Sequence, residues 1–315
     1  MLLLRCACSL RPRVVQCRGQ NARVLCSAAA APFAPKAALL VIGNEVLTGK
    51  VEDKNTAFLG MQPRRRWAPL VPTATSHTSA QSPTTSPALL TPPSARLLYS
   101  RGVDLIRVEV TPDDPEDIAR SVAALSERVG HRGFVFTSGG IGPTHDDVTY
   151  LSVAAAFGVQ LELHAATVQK MRVHYAELGK ELNASRLRMA TLPAGCTVHE
   201  IPGSWVPLCQ VRNVYVLPGI PWLFRQMLEA SKQLFSGSEL LSESLYTHSG
   251  EGELAAALTE VADKHPLVSI GSYPNTDRAD KRYTTKLCFD GRDAQALQAA
   301  MSDTRSVIAT FDECN

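Results

Sequence analysis

A strand-like apolar run that ends in a glycine-rich loop constrains this chain more than any other feature. Residues 134–149 read FVFTSGGIGPTHDDVT. The pattern predicts a buried strand, a tight loop and the start of a helix. At such a junction the free backbone N–H groups and the positive end of the helix dipole favour an anion, and glycines let the backbone approach it closely. The segment therefore predicts a phosphate-binding loop.

Two carboxylates at the end of this loop refine the prediction. Asp146 and Asp147 would repel a bare phosphate, so they favour a divalent cation such as Mg²⁺, which binds one or two carboxylates together with phosphate oxygens. A simpler interpretation stays open, in which Thr144 or Asp146 caps the helix and the glycines only form a turn. The spacing matches neither a Walker loop, since no Gly-Lys-Ser/Thr follows, nor a Rossmann fingerprint.

A further carboxylate follows the first predicted strand. Residues 38–42 are all apolar, which is typical of a strand buried in a parallel sheet, and Gly-Asn-Glu45 comes next. Ligands of open α/β sheets bind at the carboxyl ends of the strands, so we expect Glu45 to face the same site as Asp146 and Asp147. The alternative is that Glu45 is an ordinary surface glutamate.

The alternation of strands and helices predicts the fold class. Residues 37–235 are expected to form a doubly wound, mostly parallel α/β domain, and residues 236–315 a smaller α+β layer with the order βαββα. Asp113 and Asp114 are assigned to a helix start, where acids are common. The predicted elements of the larger domain include strands at 103–110, 134–137 and 214–217 and helices at 146–157 and 166–189.

Residues 60–94 interrupt this pattern. They are rich in Pro, Ser and Thr and contain no acidic residue and no Lys, a composition that predicts disorder. If they are removed, Leu59 joins Leu97 and Leu98 on one face of a single helix. We therefore hypothesise an insertion in the first helix, arising from a retained intron or an error in the gene prediction.

The first 36 residues contain five Arg and one Lys but no acid, and they are rich in Ala and Cys. This composition predicts a transit peptide to the chloroplast, with the mitochondrion and an uncleaved cytosolic tail as alternatives. Elsewhere the sequence has no apolar run long enough for a membrane helix and no basic patch typical of a nucleic-acid binder. We expect neither a membrane nor a nucleic acid as partner.

Four segments in the same order resemble a known family. They are residues 39–56, the loop at 137–149, residues 183–195 and residues 214–221. Together they are similar to the molybdopterin-binding fold family, which includes MoaB- and MogA-type proteins and the N-terminal domains of CinA and of eukaryotic FAD synthases. Residues 268–274 and 286–291 resemble the region after this domain in the CinA and FAD synthase relatives.

The resemblance implies a set of site residues. Glu45, Asp146 and Asp147 are expected to be catalytic and to hold a divalent metal (Mg, Mn or Co). The expected substrate- or phosphate-binding residues are Ser138, Gly139, Gly140, Gly142, Thr144, Asn55, Ser185, Pro218 and Gly219. His145 is a candidate acid or base, although an exposed loop residue without a chemical role is the favoured interpretation.

The resemblance also implies a function. We expect metal-dependent hydrolysis of a nucleotide diphosphate such as ADP-ribose or FAD, with water as the nucleophile. One alternative is molybdopterin binding or adenylylation in molybdenum cofactor biosynthesis, and another is non-catalytic ligand binding. Neither FAD synthesis nor the CinA deamidase activity is expected, since the domains that carry them are not recognised. The expected partners are a small nucleotide or pterin ligand and, as in the family, further copies of the chain.

Overall fold

The computed structural model describes residues 34–60, 97–277 and 282–312. The predicted transit peptide lies outside the described residues except for residues 34–36, and the predicted insertion lies outside them except for residue 60. The strands are β1 Lys36–Ile42, β2 Asp104–Thr111, β3 Phe134–Ser138, β4 Leu161–Leu163, β5 Thr191–Pro193, β6 Thr197–His199, β7 Leu208–Val211, β8 Val214–Leu217, β9 Leu241–Thr247, β10 Val268–Pro274 and β11 Thr285–Gly291.

Ten α-helices accompany these strands in the described part of the chain. They are α1 Asn44–Leu47, α2 Lys54–Gly60, α3 Leu97–Ser100, α4 Pro115–Val129, α5 Thr149–Phe157, α6 Ala165–Glu177, α7 Ala184–Leu187, α8 Pro221–Ser231, α9 Glu251–Lys264 and α10 Ala294–Val307. Across the described residues, none of the helices is both long enough and apolar enough to cross a membrane.

The larger domain is built on a six-stranded sheet with the order β2-β1-β3-β8-β7-β6. The first four strands are parallel, and β7 and β6 complete the sheet in antiparallel pairing. Alternate residues of β1 enter two different cores, because successive side chains of a strand point to opposite faces: Leu39 packs with Phe136 and Phe224, and Leu40 packs with Val135. The predicted mostly parallel α/β fold is confirmed.

Helices α2 and α3 flank the predicted insertion. They pack against each other, and Leu59, Leu97 and Leu98 are buried in one hydrophobic cluster. The shared apolar face predicted for these residues is therefore present, although it is carried by two short helices.

Two helix boundaries differ from the sequence predictions. The helix predicted over 146–157 begins at Thr149, because the residues before it form a loop around the Asp147 side chain. The helix pair predicted over 166–189 is interrupted after α6, where Gly179 has a φ of 62°, a conformation that favours glycine and ends the helix.

The C-terminal region has the order β9-α9-β10-β11-α10 and forms a three-stranded antiparallel sheet with the order β10-β11-β9. Leu254 of α9 and Leu297 of α10 pack with Leu287 and Phe289 of the central strand. This arrangement agrees with the predicted smaller α+β layer.

Candidate functional site

Three of the sequence motifs meet at one edge of the central sheet. Ser138, the last residue of β3, is in register with Val41 of β1 and with Leu217 of β8. Because these strands are parallel, the loops that follow them leave the sheet side by side. The glycine-rich loop after β3 therefore lies between the Gly43 turn and the Pro218-Gly219 turn.

The glycines of this edge allow an unusually close approach of backbones. Gly139 has a φ of 112°, and a Cβ atom on it would collide with the carbonyl oxygen of Ile42. A Cβ atom on Gly219 would lie 3.3 Å from the Cα atom of Gly139. The Gly139 N–H donates to the carbonyl of Leu217 at 3.1 Å. These two predicted ligand-binding glycines thus have a clear structural reason to be glycine.

The next glycine anchors the following helix. Gly140 has a φ of 66°, and its carbonyl accepts from the N–H of Thr149 at 3.0 Å. The Thr149 hydroxyl donates to the Gly139 carbonyl at 2.9 Å. The start of α5 is therefore fixed to the end of β3, which sets the shape of the loop between them.

Asn55 joins the motifs to one another. Its side chain is buried, and its Nδ2 donates to Ser138 Oγ at 2.8 Å and to the Gly219 carbonyl at 2.9 Å. The carbonyl can only accept, so the amide orientation is determined. The buried Oδ1 atom of Asn55 has no hydrogen-bond partner among the described residues. Asp53 positions this residue by accepting from the Asn55 N–H at 2.9 Å.

Asp147 organises the loop from within. Its Oδ1 accepts from the Gly142 N–H at 2.6 Å, and its Oδ2 accepts from the Thr144 N–H at 2.9 Å and from the Thr144 hydroxyl. A Cβ atom on Gly142 would lie 2.6 Å from Asp147 Oδ2. The N–H groups of Gly142 and Thr144, which the sequence assigns to phosphate, are thus satisfied by a carboxylate of the same loop.

Asp146 differs from its neighbour because it faces solvent. A hydrogen bond from the Thr144 side chain lowers the pKa of Asp146, and its own backbone N–H and the charges of His145 and Arg188 lower it further against a small opposing effect of desolvation. The His145 ring is 98% exposed and lies 4.0 Å from Asp146. Asp146 is therefore an ionised, accessible carboxylate.

Asp113 is a member of this edge that the sequence interpretation missed. Asp114 alone caps α4, accepting from the N–H groups of Glu116 and Asp117, whereas Asp113 accepts from the Asn44 N–H at 2.8 Å. Assigning both acids to the helix start was therefore wrong. The sequence did contain a signal for this role. Asp113 follows β2, a strand that lies parallel and next to β1, so its side chain could be expected near the turn after β1.

The pKa of Asp113 shows which carboxylates lie near this side chain. Burial raises the pKa of Asp113, and the negative charges of Glu45, Asp146 and Asp147 raise it further, while the hydrogen bond from Asn44 lowers it. Glu45 itself is exposed in α1. The three predicted carboxylates are thus within electrostatic reach of one side chain.

These carboxylates fit a metal ion only in part. They are hard oxygen donors, as Mg²⁺ prefers. Within the described ranges, however, no group of three or more His, Cys, Asp or Glu side chains is arranged to hold one ion, and both oxygens of Asp147 are already engaged. The structure therefore does not assemble Glu45, Asp146 and Asp147 into one ligand set. Glu45 and Asp146 are the pair whose carboxylates face solvent.

The remaining predicted residues lie around this centre. Pro218 is buried after β8, and Gly219 is exposed beside it. Ser185 is exposed in α7, and in the described structure no side-chain hydrogen bond joins it to the loop. The segment that contains Ser185 reaches the loop through Arg188, whose Nη2 donates to the Asp147 carbonyl at 3.3 Å.

Two family profiles match the chain. One is described as "Probable molybdopterin binding domain" and matches residues 91–235, and the other is described as "FAD synthase, middle domain" and matches residues 239–310.

Individual proteins show the same likeness. The chain is 29% identical over 303 residues to a "Probable FAD synthase" of Caenorhabditis elegans, across 88% of this chain and 51% of that protein. It is 31% identical over 232 residues to a "CinA-like protein" of Gemmatimonas aurantiaca, across 69% of this chain and 53% of that protein. The chain spans 51% and 47% of the lengths of two nematode relatives.

Among solved structures, CinA from Thermoplasma acidophilum is similar at 25% identity with a TM-score of 0.47, over 64% of this chain and 98% of that one. The two profile matches adjoin each other along the sequence. The first contains every strand of the six-stranded sheet except β1, and the second contains all three strands of the C-terminal sheet. The chain therefore contains a region similar to a molybdopterin-binding domain of the MoaB/MogA type, followed by a region similar to the middle domain of FAD synthases.

Proposed function

We propose that this chain binds a dinucleotide-like diphosphate at the carboxyl edge of the central sheet and hydrolyses it in the presence of a divalent cation. The observation that carries the proposal is the convergence of the glycine-rich loop, the Gly43 turn and the Pro218-Gly219 turn at that edge. The nematode relative named as an FAD synthase and the CinA-like relative support a nucleotide as ligand. ADP-ribose and FAD are the substrates that we expect.

The loop supplies the anion-binding part of the proposed site. The N–H groups of Gly142 and Thr144 point to a common acceptor, which is the Asp147 carboxylate in this structure. A phosphate that uses the same N–H groups has to displace that carboxylate. Substrate phosphate and Asp147 would therefore compete for the same two N–H groups, and the cost of displacing Asp147 would reduce the affinity for the substrate.

Glu45 and Asp146 are the residues that would hold the cation. Both are exposed, and two carboxylates together with phosphate oxygens are a common environment of Mg²⁺. A bound divalent cation supplies charge neutralisation on the diphosphate and a lowered pKa for a coordinated water. The pKa of Asp146 is lowered from its ordinary acidic value, with the Thr144 side chain as the largest cause, so this carboxylate carries its full charge at neutral pH.

The proposed function is tested with the purified full-length chain, and in parallel with a chain that lacks residues 60–94. ADP-ribose and FAD are each incubated with Mg²⁺, Mn²⁺ or Co²⁺, and release of AMP is measured by chromatography. We expect AMP from at least one substrate and none after chelation with EDTA. Absence of AMP with every metal would reject hydrolysis.

A second candidate function is molybdopterin binding or adenylylation. The profile over residues 91–235 favours it, and the same loop would hold the pterin's phosphate. The FAD synthase middle domain after it favours the dinucleotide. Retention of molybdopterin through purification, with no AMP release from ADP-ribose, would favour the second candidate. A third candidate function is non-catalytic ligand binding. The observation that favours it is that Asp147 already accepts from the N–H groups of Gly142 and Thr144. It predicts nucleotide binding without turnover.

A further inference from the structure

Two cysteines meet on one face of the central sheet. Val198 of β6 is paired with Cys209 of β7 in antiparallel register, and Cys196 lies two residues before Val198. Because alternate residues of a strand share a face, Cys196 is a diagonal neighbour of Cys209. All three side chains belong to the same hydrophobic cluster, and both thiols are free.

The side chain of Tyr150 lies near both thiols. Tyr150 is in the first turn of α5 and is buried in the same cluster as the two cysteines. Burial raises the pKa of Tyr150, and negative charge on Cys209 and on Cys196 raises it further. The two sulfur atoms are therefore directed to the same buried region, on the side of the sheet that α5 covers.

The two thiols differ in access and in acidity. Cys209 is fully buried, whereas Cys196 is partly exposed. A hydrogen bond with the Cys209 thiol lowers the pKa of Cys196, against the opposing effects of burial and of the Glu162 charge. The same hydrogen bond, together with burial, raises the pKa of Cys209. Cys196 is therefore the thiol that loses its proton first and that a dissolved oxidant can reach.

The backbone at Cys196 has room to adjust. The pairing of β6 with β7 begins at Thr197, so Cys196 lies just outside the ladder, and its N–H donates to the Pro193 carbonyl at 3.2 Å. Gly195 before it has a φ of 71° and open space around it. A disulfide needs Cβ atoms about 3.5–4.5 Å apart, which is closer than diagonal positions of a sheet usually are. The turn that carries Cys196 is the segment that can close this difference.

We propose that Cys196 and Cys209 are an oxidation site, at which a peroxide converts the two thiols into a disulfide. The Cys196 thiolate attacks one peroxide oxygen, the O–O bond breaks, and the departing hydroxide takes up the proton released by Cys196 to form water. Cys196 is then a sulfenic acid. The Cys209 sulfur attacks the Cys196 sulfur, the S–O bond breaks, and the Cys209 proton leaves with the hydroxide as a second water. The peroxide is the only oxidant that the two steps require.

The proposal is tested by peptide mapping of the full-length chain after treatment with hydrogen peroxide and alkylation of the remaining thiols. Trypsin cleaves after Arg188 and after Arg212 and at no position between them, so both cysteines lie in the peptide 189–212. We expect this peptide to escape alkylation and to be lighter than its dithiol form by two hydrogen atoms. A further cleavage after Glu200 separates the two cysteines, and the fragments should stay joined until dithiothreitol is added.

Two variants separate the functions of the two thiols. Cys209→Ser retains the accessible thiol without its partner, so Cys196 should accumulate as a sulfenic acid that dimedone traps. Cys196→Ser should leave Cys209 reduced, because that thiol is buried. Cys288 of β11 is the internal control, since burial raises its pKa, and it should stay reduced at the same peroxide concentration. Circular dichroism establishes that both variants fold.

The outcomes support or overturn the pair directly. A disulfide within 189–212 of the unmodified chain, with dimedone labelling of Cys196 in Cys209→Ser, supports it. A peptide that keeps both thiols would overturn it, as would one that gains oxygen at Cys196 without forming the disulfide. Oxidation of Cys288 at a lower peroxide concentration than Cys196 would also contradict the proposal.

Discussion

At the level of single residues, the loop after β3 separates the functions of two adjacent carboxylates. Asp147 holds the loop together by accepting from Gly142 and Thr144, whereas Asp146 faces solvent and has a lowered pKa. Asp113 lies within electrostatic reach of both, after the end of β2, which is separated from β3 by β1. The carboxylate that holds the loop together is thus a different one from the carboxylate that we propose as a cation ligand.

We expect Asp147→Ala to destabilise the protein. The substitution leaves two backbone donors of the loop without their acceptor, and hydrogen bonds to a charged group contribute about 1.5–3 kcal/mol each, with partial replacement by water in a half-exposed loop. The free energy of unfolding, measured with urea, should fall by about 1–3 kcal/mol. Asp146→Ala is the control and should leave stability near that of the unmodified chain. Equal stability of both variants would contradict the loop-organising role of Asp147.

Asn55→Ala should affect both stability and ligand binding. It removes the donors to the Ser138 hydroxyl and to the Gly219 carbonyl, which should cost about 1–3 kcal/mol of unfolding free energy and loosen the site. Asn44→Ala is the matched control, because Asn44 is exposed and contacts Asp113 through its backbone N–H. If calorimetric binding of ADP-ribose is weakened equally by both changes, Asn55 has no special role.

At the level of elements, the site exists because three parallel strands end together and their loops can approach closely. The register of β1, β3 and β8 brings the motifs to one edge, and glycine at the crossing points lets them touch. Helix α5 then begins at a fixed place, since Thr149 is bonded to the loop. We therefore expect a substitution in one turn to shift the turns that contact it.

Gly139→Ala should disrupt this junction. Its φ of 112° and the collision of a Cβ atom with the Ile42 carbonyl both oppose a side chain, so we expect a loss of at least about 1–3 kcal/mol of unfolding free energy. Gly252→Ala is the opposite case, because α9 has open space at this position and alanine should stabilise the helix by up to about 1 kcal/mol. Thermal unfolding compares the two, and equal melting temperatures would contradict the close-approach interpretation.

Much of the element order could be predicted from the sequence, because apolar runs and glycine loops are local signals. The expectation that Glu45 lies at the same edge as Asp146 and Asp147 came from the rule that ligands of open α/β sheets bind at the carboxyl ends of the strands. What could not be predicted depends on side chains that meet across the fold. The Asp147 carboxylate replaces the anion expected in its own loop, and Asp113 contacts Asn44, which lies 69 residues away.

At the level of the whole molecule, the C-terminal layer is tied to the segment that joins α3 to β2. Tyr99 donates to Asp290 at 2.7 Å, and Arg292 contacts the Gly102 carbonyl at 3.1 Å and Asp104 at 2.8 Å. A Cβ atom on Gly102 would collide with the Ser238 carbonyl. The larger domain and the C-terminal layer are thus joined by a small set of specific polar contacts.

Tyr99→Phe should change the response to alkaline pH. Burial raises the pKa of Tyr99 from 10.0 to about 12, and the Asp290 carboxylate raises it while a hydrogen bond with Ser242 lowers it. The folded chain therefore keeps the Tyr99 proton up to a higher pH than the unfolded chain does. The contribution of Tyr99 to the free energy of unfolding is complete below pH 10 and is lost as the pH rises toward 12.

The difference in melting temperature between the unmodified chain and Tyr99→Phe should therefore shrink or reverse across this range. Differential scanning fluorimetry at a series of pH values measures it. A difference that stays constant between pH 10 and 12 would show that the Tyr99 hydroxyl does not titrate with unfolding.

The measurement that tests the central proposal most directly is AMP release from ADP-ribose by the unmodified chain, Asp146→Ala and His145→Ala under saturating Mg²⁺. We expect turnover by the unmodified chain, a small effect of His145→Ala because that side chain is 98% exposed, and loss of turnover in Asp146→Ala with an unchanged melting temperature. Unchanged turnover in Asp146→Ala would contradict the placement of the active site at this edge of the sheet.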